Sequence, residues 1–326
     1  MSEKSSIKCY LLCILFLFLC SSLNVCIASA SEKKYPSRYI ELYHGFPGGG
    51  AVEVQNRLIA QSLEKQLGGT VVSVSKPGGG GVVGTTALIN AAPDGYTLAN
   101  MGFNSIAQTI LLSKGAFTLD DVKVIGQWNV YGMCLSVPAD SKWKTFKDFL
   151  DHVKKNPGTQ YAHAGVGTAG ALRMENLNRN AKLMMTAVPF KGDAEVITAL
   201  LGKHIGAGVS STSSAKAQED AGKLRILFSF DPPGKFGLNP KTPYLANIFD
   251  KNVLSKDIKV VGFLIAPRKT PDDIAKVLET ALENSCKDPA LIEGMAKAST
   301  AIEFYDSKTA TQNLRIILEN VKALQQ

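Results

Sequence analysis

Three glycine-rich segments are the parts of this chain best suited to bind a ligand. They are residues 45–50 (GFPGGG), 76–84 (KPGGGGVVG) and 165–170 (GVGTAG), and each opens a helical pattern. Glycine lets the backbone come close to a ligand, and the N–H groups of a helix N-terminus favour negative charge. A single segment of this kind is explained equally well by a tight strand-to-helix turn. Three of them in a chain of formal net charge +8 favour binding of carboxylate or phosphate oxygens.

The third segment has the spacing GxGxxG, but the sequence lacks the other features of a dinucleotide site. The following strand ends at Pro189 without an acidic residue, and Asp193 lies beyond it. No lysine followed by serine or threonine comes after the glycine runs, so a Walker motif is absent. The sequence therefore predicts no nucleotide cofactor.

Residues suited to catalysis or metal binding are scarce. The four histidines show no HExxH spacing, and there is no GxSxG elbow. His44 and His163 each end a predicted strand beside a glycine segment, so each either faces a cleft or packs in the core. Residues 210–214 (SSTSS) hold more hydroxyls than helix capping needs, and the surplus is available to a ligand. We expect no metal and no catalytic residue.

Short apolar runs that alternate with helical patterns position these segments. The predicted strands are residues 38–43, 70–75, 97–102, 122–127, 161–164, 184–188, 204–209, 224–230 and 259–266. The predicted helices are residues 51–67, 82–91, 145–155, 171–180, 193–201, 213–221, 271–286, 289–298 and 307–324. This alternation indicates an α/β protein with parallel sheets and helices on both faces.

The pattern divides into two blocks and a tail. It restarts after Pro138, and residues 231–243 read as a loop because they hold four prolines and two glycines. We expect a discontinuous first domain of residues 31–136 plus 245–326 and a second domain of residues 137–244. A hinge and an interdomain cleft follow from such a division.

The first 30 residues have the features of a secretory signal peptide. Lys4 and Lys8 precede an apolar run at residues 9–20, and residues 28–30 (ASA) provide a cleavage site after Ala30. The run is shorter than the about 20 residues that span a bilayer; an uncleaved anchor is the alternative. Cleavage leaves Cys134 and Cys286, which we expect to be two separate buried thiols. No Lys/Arg run exceeds two residues, so no nucleic-acid partner is expected.

Taken together, the motifs resemble the Bug family, the extracytoplasmic receptors of tripartite tricarboxylate transporters. The matching stretches occur in the family's order: residues 46–50, 77–84, 92–98 (APDGYTL), 165–177, 188–192 (VPFKG), 198–202 (TALLG), 222–225 (GKLR) and 262–271 (GFLIAPRKTP). The resemblance implies a two-domain Venus-flytrap periplasmic binding protein fold without cofactor or catalysis. It also implies that two loops, one per domain, hold a small carboxylate through backbone amides, hydroxyls and waters.

Carried over to this sequence, the resemblance places the ligand against these two loops and the segment after the third strand. With the two serines at 210 and 211, the expected ligand-binding residues are Phe46, Pro47, Gly48, Gly49, Ala51, Asn104, Ser105, Gly165, Val166, Gly167, Thr168, Ala169, Ser210 and Ser211. The Thr168 hydroxyl is the best polar candidate among them.

The sequence departs from the family pattern at three places. Gly48 stands where the family has a second proline, and Val52-Glu53 stand where it has a Thr/Ser-Asp pair. Ser210-Ser211 stand near the place of a frequent Asp-Asn pair. The missing acids suggest the hypothesis of a ligand without an amino group, such as a plain carboxylate.

The leading interpretation is a monomeric periplasmic receptor that captures a small anionic ligand and docks on the permease subunits of the transporter. A ligand sensor that signals to a membrane kinase has the same features. A hydrolase in the same cleft is the third interpretation, and it needs a serine within hydrogen-bond distance of His163 or His44.

Overall fold

The computed structural model describes residues 35–113, 116–250 and 259–325, without the side chains of Asn104, Leu112 and residues 323–325. Residues Arg38–Gln326 form one compact unit. The predicted signal peptide lies outside the described residues.

Strands and helices alternate along most of the chain. The strands are β1 (Ile40–His44), β2 (Val71–Ser75), β3 (Thr97–Gly102), β4 (Val122–Tyr131), β5 (Met133–Pro138), β6 (Gln160–His163), β7 (Thr186–Pro189), β8 (Gly208–Ser211), β9 (Leu224–Ser229), β10 (Val261–Pro267) and β11 (Thr300–Tyr305). The helices are α1 (Ala51–Leu67), α2 (Val82–Ile89), α3 (Phe103–Leu112), α4 (Phe146–Lys155), α5 (Ala169–Asn180), α6 (Asp193–Leu201), α7 (Thr212–Asp220), α8 (Asp272–Cys286), α9 (Pro289–Lys297) and α10 (Ser307–Gln325). Three of these elements, α3, β5 and β11, are not predicted from the sequence.

The strands form two mixed sheets. The first has the order β11-β4-β10-β3-β1-β2, and the second has the order β7-β6-β8-β5-β9. β1 is parallel to β2 and β3, whereas β10 is antiparallel to β3 and β4, and β11 is antiparallel to β4. β6 is parallel to β7 and β8, but β5 is antiparallel to β8 and β9. The α/β class is therefore confirmed, and the expectation of parallel sheets is wrong for the pairings of β5, β10 and β11.

The chain passes between the sheets twice. Gly132 separates β4 of the first sheet from β5 of the second, and the return lies between β9 and β10. The division into domains at residues 136 and 244 stays a prediction.

Helix α4 shows how the local sequence sets an element. Thr145 is its N-cap and forms a capping box with Asp148. Phe146, Phe149 and Val153 are buried at the spacing of one helical face. The cap and the apolar face together define where the helix begins and which side packs inward.

The core is apolar and includes both cysteines. Large side chains such as Trp128, Phe228 and Phe263 are fully buried. Cys134 and Cys286 are buried free thiols, which confirms the expectation of two separate cysteines. Burial raises the pKa of both thiols, that of Cys286 to about 12. Neither thiol is therefore poised for reaction.

Candidate functional site

Three helices begin around one small pocket, which we call the central pocket. The first residues of α1, α5 and α6 border it, and the first N–H groups of a helix have no partner within that helix. The pocket has a volume of about 50 Å³, which is room for a few water molecules. Its lining residues are Phe46, Pro47, Gly50, Ala51, Val52, Tyr131, Met133, Ala164, Thr168, Ala169, Gly170, Gly192, Asp193, Ala194 and Glu195.

A second and larger pocket shares one residue, Pro47, with the central pocket. This side pocket has a volume of about 680 Å³. It is lined by Pro47, Pro77, Gly78, Gly79, Gly80, Gln108, Leu111, Gly165, Val166, Gly167, Pro189, Phe190 and Lys191. The three glycine-rich segments of the sequence therefore meet around these two pockets.

The predicted site residues separate into three groups in the structure. Phe46, Pro47, Ala51, Thr168 and Ala169 line the central pocket. Gly165, Val166 and Gly167 line the side pocket, as does Pro47. The remaining described residues, Gly48, Gly49, Ser105, Ser210 and Ser211, line neither pocket. The side chain of Asn104 lies outside the described part of the chain.

The Thr168 hydroxyl already has protein partners. It donates to the Gly165 carbonyl oxygen at 2.8 Å, and it accepts from the Ala171 N–H at 3.5 Å as the N-cap of α5. Its proton is therefore directed at the loop backbone. Thr168 shapes the loop, and the two residues after it, Ala169 and Gly170, line the pocket at the start of α5.

Glu53 holds the first glycine loop. Its carboxylate accepts from the Gly49 N–H at 2.5 Å and from the Arg57 guanidinium at 2.5 Å. These two contacts hold the pKa of Glu53 below its usual value. Since the Gly49 amide is engaged by Glu53, the amides at the start of α1 itself are better placed for a ligand.

Gln108 joins helix α3 to the third glycine loop. Its Nε2 donates to the Val166 carbonyl oxygen at 2.5 Å. Gly167 has φ +66°, and a Cβ there would lie 1.6 Å from Gln108 Nε2. Glycine is therefore required at 167 by both the backbone and the space. Ser105, on the same helix, donates to the Gly80 carbonyl oxygen at 2.9 Å and so holds the second glycine loop.

Asp193 is an acidic residue of the central pocket that the sequence reasoning did not assign to the site. Its Oδ2 accepts from the Ser211 N–H at 3.1 Å. Burial raises the pKa of Asp193, and the hydrogen bonds from Ser211 act in the opposite direction. Burial, and then the charge of Asp193, raise the pKa of Tyr131, which lines the same pocket. Asp193 is not at any of the positions where the family acids are missing, and the hypothesis of a ligand without an amino group stays a prediction.

Both strand-end histidines are buried beside the loops, outside the two linings. Nδ1 of His163 lies 3.0 Å from the Gly165 carbonyl oxygen and 3.3 Å from its nitrogen. His44 Nδ1 has no hydrogen-bond partner in the described structure. Burial lowers the pKa of both rings. The contacts of His163 are with backbone, so the serine–histidine pair that a hydrolase needs is not formed there.

The described part of the chain contains neither a group of metal ligands nor a membrane-spanning helix. No group of three or more His, Cys, Asp or Glu among residues 35–113, 116–250 and 259–325 is arranged to hold a metal ion. Within the same ranges, no helix combines the length and apolarity needed to cross a bilayer. The described lining of the central pocket contains no lysine, arginine or histidine.

Of the pocket residues that the sequence reasoning missed, Asp193 has a recognisable signal in the sequence. Asp193 follows a strand and a short glycine-containing loop (VPFKG) and begins a helix, as Ala51 and Ala169 do. Treating this fourth strand-to-helix junction like the other three would have placed Asp193 at the site. Tyr131 and Met133 carry no such signal, since only the passage between the sheets brings them to the pocket.

Comparison with known proteins assigns the chain to a family. Residues 55–326 match the family described as Tripartite tricarboxylate transporter family receptor. The UPF0065 protein in the gbd 5′ region of Cupriavidus necator is 29% identical over 298 residues, covering 91% of this chain and 89% of its own.

Solved structures show the same fold. The periplasmic binding protein BugD has a TM-score of 0.81 at 24% identity, covering 89% of this chain and 98% of BugD. The malate-bound MatC of Rhodopseudomonas palustris has a TM-score of 0.78 at 22% identity, covering 89% of this chain and 99% of MatC. The resemblance to the Bug family and the two-domain periplasmic binding protein fold are thereby confirmed. Since the family match spans most of the sequence, this chain belongs to the receptor family of the tripartite tricarboxylate transporters.

Proposed function

We propose that this chain is a non-catalytic receptor that captures a small organic carboxylate in the central pocket and delivers it to the permease subunits of a tripartite tricarboxylate transporter. It acts as a monomer in the periplasm after cleavage behind Ala30. The convergence of the N-termini of α1, α5 and α6 on one pocket carries the proposal.

The pocket can bind an anion without a basic side chain. The N-terminus of a helix carries about half a positive charge, and each such end stabilises a nearby anion by about 0.3–1 kcal/mol when exposed and up to ~2 kcal/mol when partly buried. Amide donors to a carboxylate form charge-assisted hydrogen bonds. Three helix ends can therefore replace a buried lysine or arginine, whose own desolvation would weaken binding.

The relatives support this ligand class. The matched family is described by its tricarboxylate transporter, and MatC holds malate in the same fold. A hydrolase is less well supported because His163 contacts backbone atoms and the described lining of the central pocket contains no histidine. A sensor would use the same pocket and differ only in its membrane partner.

The test is a thermal-unfolding screen on residues 31–326 that have been unfolded and refolded to remove any bound ligand. The panel holds mono-, di- and tricarboxylates, sulfonates and amino acids. A ligand present at 100 times its Kd stabilises the folded state by about 2.7 kcal/mol. The ligand should be recovered chemically unchanged. The absence of a shift with every carboxylate, or the recovery of a hydrolysed product, would contradict the proposal.

A matched pair of variants locates the binding. Ala194 lines the central pocket, whereas Ala217 is exposed on α7. Ala194→Leu should fill the pocket and abolish the ligand-induced shift, while Ala217→Leu should leave it unchanged. If Ala194→Leu bound the ligand like the wild type, the central pocket would not be the site.

A further inference from the structure

The central pocket holds an acidic group at a place where the proposed function requires an anion to bind. Asp193 begins α6, lines the pocket and is half-buried. Its protein contacts in the described structure are with Ser211, whose backbone N–H donates to Oδ2. No lysine or arginine forms an ion pair with Asp193 among the described residues.

The other polar side chains of the pocket do not neutralise this charge. Glu195 is itself acidic, and its carboxylate accepts from the Lys191 N–H at 3.1 Å. Tyr131 lines the same pocket as Asp193. In the described part of the chain the Tyr131 hydroxyl has no hydrogen-bond partner, either side chain or backbone. Asp193 thus has acceptor capacity left, and Tyr131 has a free donor and acceptor.

A ligand that occupies the pocket must therefore satisfy two opposite demands. Its carboxylate suits the amides at the starts of α1 and α5. A second carboxylate beside Asp193 would be repelled by it, and an apolar group there would leave the acid without a partner. A group that donates a hydrogen bond satisfies Asp193 and leaves the first carboxylate on the helix ends.

We propose that Asp193, together with the Tyr131 hydroxyl, forms a selectivity point for carboxylates that also carry a hydroxyl or ammonium donor near the carboxylate. This inference rests on the proposed function and names its ligand class. Plain carboxylates of the same length bind more weakly because they leave Asp193 facing either a methylene or a like charge.

The test compares matched acids by calorimetric titration of refolded residues 31–326. The sets are propionate, lactate and alanine, and succinate, malate and aspartate. The donor-bearing member of a set should bind about tenfold or more tightly than the plain acid, since a hydrogen bond to a charged group is involved. Asp193→Asn should reduce that preference to less than about threefold, while Asp220→Asn, an exposed charge-matched control, should keep it.

The variants also separate the two donors. Asp193→Asn keeps an acceptor oxygen at this position but removes the charge, so it should weaken the ammonium ligands more than the hydroxyl ligands. Tyr131→Phe removes only the phenol hydroxyl and should lower the preference severalfold without touching Asp193. It provides the test if Asp193→Asn fails to fold, which its melting curve without ligand would reveal.

The outcomes separate a failure of this inference from a failure of the proposed function. If the wild type binds plain acids as tightly as their hydroxy and amino counterparts, the selectivity point is refuted and the carboxylate receptor stands. An unchanged preference in both Asp193→Asn and Tyr131→Phe refutes it equally. If no acid of any set or of the wider panel binds the wild type, the proposed function itself fails.

Discussion

Replacing Asp231 with alanine should destabilise the protein strongly. Asp231 follows β9, and its carboxylate accepts hydrogen bonds from Arg173. Nη1 of Arg173 lies 2.7 Å from Oδ2 of Asp231, and Nη2 lies 3.0 Å from Oδ1. The same carboxylate accepts from the Met133 N–H at 2.9 Å. The Arg173 side chain is 3% exposed and that of Asp231 is 12% exposed. The cluster ties α5, which begins at the central pocket, to the first residue of β5.

The expected loss follows from this burial. Asp231→Ala removes the Asp231 carboxylate from the buried Arg173 guanidinium, and removing one partner of a buried ion pair costs about 3–5 kcal/mol. Two charge-assisted hydrogen bonds at about 1.5–3 kcal/mol each give a similar figure. For a chain of this size about 2 °C of Tm corresponds to 1 kcal/mol, so Tm should fall by about 6–10 °C.

Urea unfolding followed by circular dichroism, with calorimetry for Tm, measures the effect. Asp220→Asn is the control, because Asp220 belongs to an exposed i,i+4 pair with Lys216 and its loss should leave Tm nearly unchanged. The double variant Arg173→Met/Asp231→Leu removes both charges and should be more stable than Asp231→Ala. A loss below about 1 kcal/mol for Asp231→Ala would refute this account of the cluster.

Three further changes test the loops and the pocket. Gln108→Ala removes the hydrogen bond to Val166, so the free energy of unfolding should fall by about 0.5–1.5 kcal/mol in urea titrations; unchanged stability would contradict this. Gly81→Ala should lower the free energy of unfolding by about 1–3 kcal/mol in urea titrations. The reason is that φ of residue 81 is +100° and the new Cβ would lie 2.1 Å from Ser105 Oγ. A variant as stable as the wild type would contradict this prediction. Burial raises the pKa of Asp193 in the folded protein, so the folded state keeps this proton to higher pH than the unfolded chain, and ionisation destabilises the fold above that range. Ligand-free Asp193→Asn should therefore be more stable than the wild type at pH 7, and the difference should vanish only as the pH falls below about 4, the ordinary pKa of an aspartate. A pH-independent difference measured by thermal unfolding would show that the charge is not the cause.

Local patterns predict most elements but not how the strands pair. The bounds of α1 and α6 agree with the helical patterns at residues 51–67 and 193–201. β11 was missed because only pairing with β4 makes residues 300–305 a strand. The antiparallel position of β10 was likewise missed, since the direction of a strand depends on a partner far away in the chain.

The sequence by itself determined the α/β class, the glycine loops that begin the helices and the family. These features depend on neighbouring residues, on helical periodicity and on motifs in a recognisable order. Only the tertiary structure decided which groups face the pocket. Glu53 accepts from the Gly49 amide, Thr168 donates to Gly165, and Asp193 lines the same pocket as Tyr131. The reason is physical: the free donors and acceptors of a site are those that remain after the fold has paired the others, and that pairing joins residues distant in sequence.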